Sequence, residues 1–167
     1  ETMAKSDSFF IRAIVATDAS NFVQSEIDLG SFVNLGVSKS TLLRLHSIEV
    51  QYSDVAGVQL VQGSVAVQGG TACWQLTTQS QTELQTIDDK SMVASGRLAC
   101  FGYDSSFMTN NDHVDVGPQD WKNGYLIGVD SMFLGADVGG TITSGDMNIA
   151  IIIECTLETA TQASSTA

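Results

Sequence analysis

Residues Met147 to Leu157 read MNIAIIIECTL, and their alternation decides the fold class. Met147, Ile149, Ile151, Ile153, Cys155 and Leu157 fall on one side of an extended chain. Asn148, Ala150, Ile152, Glu154 and Thr156 fall on the other. Period-two alternation held over eleven residues, rich in β-branched side chains, specifies a half-buried strand and not an amphipathic helix. Its place late in the sequence predicts a fold closed by laying a last strand into a sheet.

Working outward, most of the chain reads the same way. Gly124 to Leu134 predicts a strand with Tyr125, Ile127, Val129 and Phe133 on one face, and Gly135 to Asp146 a Gly-rich connection. Phe9 to Thr17 is the first strand, and Asp18 to Gly36 alternates weakly through Phe22, Ile27, Leu29 and Phe32. Thr41 to Tyr52 is a strong strand with His46, Ile48, Val50 and Tyr52 sharing a face. Val58 to Val67 repeats the pattern, Gly69-Gly70 reads as a turn, and Ala72, Trp74 and Leu76 then alternate with Cys73, Gln75 and Thr77. Gln79 to Lys90 is polar enough for a loop or short helix, and Met92 to Phe101 is another strand. Tyr103 to Asn123 reads as the longest irregular stretch. Residues 1–8 form a polar arm, residues 9–158 a single domain, and residues 159–167 a small polar tail. About eight strands without a long helix suit a sandwich or barrel. No fixed-period repeat points to a propeller or solenoid.

Composition narrows the function. A chain of 167 residues is one domain able to bury on the order of 70% of its unfolded surface. Seven Lys/Arg face nineteen Asp/Glu, for a net charge of -12, and no two basic residues are adjacent. Nucleic-acid binding draws on clustered cations that displace counterions from phosphates, so direct genome or transcript contact is not expected. Cys73, Cys100 and Cys155 lie far apart in apolar runs, without a CxxC or Cys/His cluster, and read as three buried thiols, with one disulfide as the alternative. No apolar run reaches the 18 residues of a membrane-spanning helix, and no stretch reads as a signal peptide.

Candidate chemistry is sparse. His113-Val114-Asp115 has the His-x-Asp spacing of iron oxygenases, but no second His follows; His46 lies upstream on a strand and reads as packed or interfacial. Neither a GxSxG elbow nor a phosphate-cradling glycine motif occurs. Asp104, Asn110, Asn111, Asp112, Asp115 and Asp120 make an oxygen-rich stretch that could hold Ca²⁺, yet the spacing matches no EF-hand, and a solvated acidic loop is the preferred reading. The carboxylate pairs Asp88-Asp89 and Glu154/Glu158 lack an apolar pocket to separate their pKa values and read as surface. Trp74 and Trp121 could stack sugars, but read as core or interface. The expectation is a protein that is not an enzyme, with no catalytic residue and no cofactor or metal.

Three segments carry a family resemblance: DSFFIRAIVATDASNFVQSEIDLGSFV from Asp7, RLHSIEVQYSD from Arg44, and GYLIGVDSMFLGADVGGTITSGDMNIAIIIECTLETAT from Gly124. In pattern and order they resemble single jelly-roll capsid proteins of tailless icosahedral viruses. The resemblance implies an all-β, jelly-roll β-sandwich of about eight antiparallel strands. It implies a structural capsid subunit, located in the virion, that self-assembles with copies of itself into capsomers and an icosahedral shell. Many RNA-virus jelly rolls carry a basic arm; this one has only Lys5, beside Glu1 and Asp7. That departure points to the membrane-containing DNA viruses, with an internal membrane or a second capsid or vertex protein as further partners. Candidate assembly contacts are Phe9, Phe10, Tyr103, Trp121 and Thr159. The alternative is a secreted, extracellular β-sandwich module that binds carbohydrate or calcium.

Overall fold

The alternation around Ile151 becomes the middle of a long strand in a computed structural model, which describes residues 4–18, 21–36, 39–53, 68–103, 106–140 and 147–161. In chain order the strands are β1 (Ala4–Lys5), β2 (Phe9–Ala16), β3 (Val23–Asp28), β4 (Asn34–Leu35), β5 (Lys39–Ser53), β6 (Gln68–Thr77), β7 (Met92–Tyr103), β8 (Ser106–Val116), β9 (Tyr125–Ile127), β10 (Ser131–Gly140) and β11 (Asn148–Thr161). A single 3-10 turn, Pro118–Asp120, is the only helical element among the described residues.

Two antiparallel sheets result. In the first, β11 pairs along one edge with β5 and along the other with β2 and β1, while β4 and β9 flank the far side of β5. The second runs β3-β10-β6-β7-β8. The chain passes from sheet to sheet, so that β2 and β3 lie beside β11 and β10, and β5 and β6 lie on their other side. That doubled winding is a jelly-roll β-sandwich.

Inward-facing residues of both sheets make one core. Ile149, Ile151, Ile153 and Cys155 of β11 and Leu43, Leu45 and Ile48 of β5 meet Ala72, Trp74, Leu76, Met132 and Leu134 of the second sheet. Each fully buried isoleucine contributes roughly 2 kcal/mol. Trp74 sits at the centre, its indole Nε1–H donating to the Tyr52 hydroxyl at 2.9 Å. Gly96 makes room for the ring, since a Cβ there would come within 2.7 Å of Trp74 Nε1.

Several expectations change. His46 does not share the face of Ile48, Val50 and Tyr52. Leu45 pairs with Cys155 and Ser47 with Glu154, so His46 is the extra residue of a bulge. Leu45 and Ile48 both reach the core across it, and His46 Nε2 meets Thr156 Oγ1 at 2.9 Å instead. The stretch read as irregular after Tyr103 contains β8, an edge strand whose polar residues concealed it. Gly69-Gly70 is not a turn but part of β6, paired with Phe101 and Cys100. The strand expected over Gly124 to Leu134 breaks at residues 128–130, and beyond the break Met132 and Leu134, not Phe133, are buried.

The expected glycine connection is strand as far as Gly140, where Gly135 lies against the Phe22 ring too closely for a side chain. Within the arm and tail, Ala4–Lys5 and residues 159–161 lie in strands. Thr159 sits in β11 between Ala4 of β1 and Thr41 of β5, so backbone pairing orders residues without an apolar signal. Residues 78–91 form a turn-rich loop and no helix; both the amide and hydroxyl of Ser91 donate to Asp89 Oδ1, at 2.8 and 2.6 Å. The hydroxyl, then the amide, hold that carboxyl below its ordinary pKa. The strand expected at Val58 to Val67 lies outside the described residues.

Candidate functional site

The first sheet leaves apolar side chains outward at both flanks. Among the described residues β2 pairs along one edge only. Ile11 and Val15 point into the core, so Phe10 and Ile14 point out, 52% and 55% exposed. Across the strand pair Ile14 opposes Ala150, and Arg12 opposes Ile152, which is 40% exposed. These residues form an apolar patch on the outer face. The Arg12 guanidinium lies 5.8 Å from the Phe10 ring centroid.

The opposite flank, beyond β5, exposes Leu35 on β4, Leu126 on β9, and Val129 and Trp121 on the adjoining turns. Leu35 and Val129 line one shallow depression. Trp121 packs against Tyr125, ring centroids 5.8 Å apart. Beside it Arg44, His46, Lys122 and Asn123 line a polar hollow, a local gathering of basic groups on a strongly acidic chain.

The candidate contacts therefore separate. Phe10 lies on the β2 flank; Thr159 lies on the same side of β11, next to β1. Trp121 lies across the sheet from both. Phe9 faces inward, is half-buried against the core and stacks on Phe32 at 5.2 Å. Tyr103 ends β7 in the other sheet, opposite Ser106, and its side chain lies outside the described set. Sequence reasoning missed Ile14, Ile152 and Leu35. The signal for Ile152 was present: it is an apolar residue on the polar side of the MNIAIIIECTL alternation.

The second sheet carries a cleft on its outer face, lined by Cys73, Ser95, Arg97 and Asp115 from the strands and by Leu84 to Ile87 from the loop. Arg97 Nη2 pairs with Asp115 Oδ1 at 2.9 Å, and His113 Nε2 lies 3.6 Å from the same oxygen. Asp115 is thus engaged within β7 and β8. Asp120 accepts the Gly117 N–H at 2.8 Å. Among the described residues no three His, Cys, Asp or Glu side chains come together as a metal site.

Cys73 is half-buried rather than buried, a departure from the reading of three buried thiols. Desolvation pushes its pKa up; Asp115 and Asp137 add to the rise, and Arg97 opposes it. Burial pushes the Cys155 thiol up to about 12. Both thiols are thus held above their ordinary pKa, the opposite of an activated nucleophile. Trp74 is core, which removes it from sugar stacking, while Trp121 remains accessible.

Known structures resemble this arrangement of strands. VP1 of Trichodysplasia spinulosa-associated polyomavirus is 12% identical, with a TM-score of 0.43 over 83% of this chain and 78% of that one. Turnip yellow mosaic virus gives 10% identity and a TM-score of 0.43 over 96% of each chain. Desmodium yellow mottle tymovirus gives 10% and 0.39 over 95% and 89%. These neighbours are viral capsid proteins with jelly-roll folds. No protein-family model and no curated protein matches the sequence.

Proposed function

We propose that this chain is a structural subunit of a viral capsid, which binds copies of itself to build capsomers and a closed icosahedral shell. One observation carries the reading. A single sheet presents apolar side chains at both flanks, Phe10, Ile14 and Ile152 on one and Leu35, Trp121, Leu126 and Val129 on the other. A patch on one flank that fits a different patch on the other makes a heterologous contact, and such contacts close into rings when the rotation allows. Weak individual contacts then suffice, because each further contact of the closed assembly is intramolecular.

The chain acts as structure rather than as a catalyst, located in the virion. Its acidity disfavours nucleic acid as a direct partner, which leaves an internal membrane or a second capsid or vertex protein as any further partner. The rival reading, a secreted carbohydrate- or calcium-binding module, has Trp121 in its favour but loses Trp74 to the core.

Light scattering and negative-stain imaging across protein and salt concentration test the proposal. Rings or shells support it. A monomer under every condition, with Phe10→Ser and Trp121→Ala leaving behaviour unchanged, would overturn it.

A further inference from the structure

A second binding site lies away from these flanks. The cleft on the second sheet encloses about 430 Å³ between the strands and the 78–91 loop. Gln75, only 1% exposed, holds the loop there: its Nε2–H donates to the Glu83 carbonyl at 3.1 Å, and the Gln85 N–H donates to its Oε1 at 2.7 Å. Both ends of that amide are therefore engaged. Its cross-strand neighbour Ser95, 7% exposed, lines the cleft, and its Oγ has no hydrogen-bond partner among the described residues. Buried hydroxyls in native proteins are nearly always bonded, so this one is open to an acceptor or donor entering the cleft.

The remaining walls define that ligand. Leu84 and Ile87 supply an aliphatic side. Arg97 and Asp115 supply donor and acceptor but already pair with each other, so the cleft is close to charge-balanced. An anion would meet Asp115, and a cation would meet Arg97. An uncharged group with one acceptor and one donor satisfies all three: its oxygen takes the Ser95 O–H and a spare Arg97 N–H, and its N–H reaches Asp115. A peptide unit has that pattern. We propose that this cleft binds an uncharged peptide unit bearing an aliphatic side chain, with Ser95 as its principal hydrogen-bond donor. The proposal does not depend on shell formation.

N-acetyl-leucine amide, titrated into ¹⁵N-labelled protein and followed by NMR, tests it. The Gln75 side-chain amide and the backbone amides of Leu84, Ile87 and Ser95 should shift together and saturate. Ser95→Ala should weaken binding about tenfold, and Ile87→Ser, a change at a residue 60% exposed, should weaken it without disturbing the fold. N-acetyl-leucine, with its carboxylate, should bind less well. Raising protein concentration without the probe separates two sources. If the same resonances shift and the probe reverses them, the natural occupant is a segment of a second copy; if they do not, a second copy is excluded as the occupant. Absence of shifts at these residues, equal binding by Ser95→Ala (a hydroxyl serving water only), or preference for the carboxylate would each overturn the proposal.

Discussion

Arg44 grips Glu158 through two parallel bonds, Nε to Oε1 at 2.6 Å and Nη2 to Oε2 at 3.0 Å, with the glutamate side chain fully buried and the arginine 16% exposed. The third guanidinium nitrogen donates to the Asn123 carbonyl at 2.7 Å, so the pair also fastens the turn before β9 to the sheet. Arg44→Met strands a buried carboxylate and should cost about 3–5 kcal/mol in urea unfolding. Adding Glu158→Leu should restore most of the loss, because replacing both partners removes the unpaired charge. A loss below about 1 kcal/mol for Arg44→Met would mean that the pair behaves as an ordinary surface bridge.

Tyr52 and Trp74 join the two sheets by a hydrogen bond at the centre of the core. Tyr52→Phe leaves the indole N–H without that acceptor in a site 1% exposed. The expected cost is about 1–3 kcal/mol, together with a change in tryptophan emission. Unchanged stability and emission would show that the indole finds another acceptor.

How much of this was legible follows from how each strand buries its faces. β11 is plain in the sequence because Ile149, Ile151 and Ile153 face a core and their neighbours mostly do not. β6 declares itself through Ala72, Trp74 and Leu76 for the same reason. β8 is held by backbone pairing to β7, and SFMTNNDHVDV offers no apolar period to detect. The glycines of β10 give no side-chain signal, although Gly135 is glycine because Phe22 lies against it.

A one-residue slip at His46 reverses the alternation of β5, and no local feature of RLHSIEV announces it. The cleft was hidden for a different cause. Gln75 reads as an outward polar residue, and nothing in the sequence tells that a loop ten residues on will cover it. The flank contacts were half-legible: Phe10 and Trp121 stood out as aromatic, whereas Ile14 and Leu35 became informative only once their exposure was known.

Gly124 has φ of 68°, the left-handed region that favours glycine, and a Cβ there would collide with the Leu45 carbonyl. Gly124→Ala should therefore lower stability by about 2 kcal/mol or more, read as a drop in melting temperature. Gly128→Ala is the control, since a Cβ there makes only an ordinary 3.6 Å contact with Leu42. Equal effects of the two changes would remove the backbone explanation.

Burial raises the Cys155 thiol from an ordinary value of 9.0 to about 12, and the sign of its pH effect follows. The unfolded chain releases this proton from about pH 9 upward while the folded chain retains it, so unfolding gains over that window. The contribution is complete below pH ~9 and is lost as pH rises toward ~12. Chemical unfolding between pH ~9 and ~10.5 should show a steeper loss of stability for the parent than for Cys155→Ala. In a Cys100→Ser background a thiol reagent should modify Cys73 in the folded protein and Cys155 only on unfolding. Parallel pH curves, or equal reactivity of the two thiols, would contradict this assignment.

Assembly should respond to salt and to the flanks in a linked way. With a net charge of -12, copies repel at low ionic strength, and the screening length falls to about 8 Å at physiological salt. Association driven by apolar contact should therefore strengthen as salt rises, where an ion-pair-driven assembly would weaken. Phe10→Ser with Ile14→Thr removes one apolar flank, and Trp121→Ala thins the other; all three side chains are exposed. Each set should cut association sharply while leaving the chain folded, at a cost of about 1–3 kcal/mol for side chains that are half-buried in the single subunit. If the flanks meet each other heterologously, mixing the two variants should give pairs that grow no further, because each retains one competent flank. Full-sized particles from either variant alone would place the contact elsewhere on the molecule.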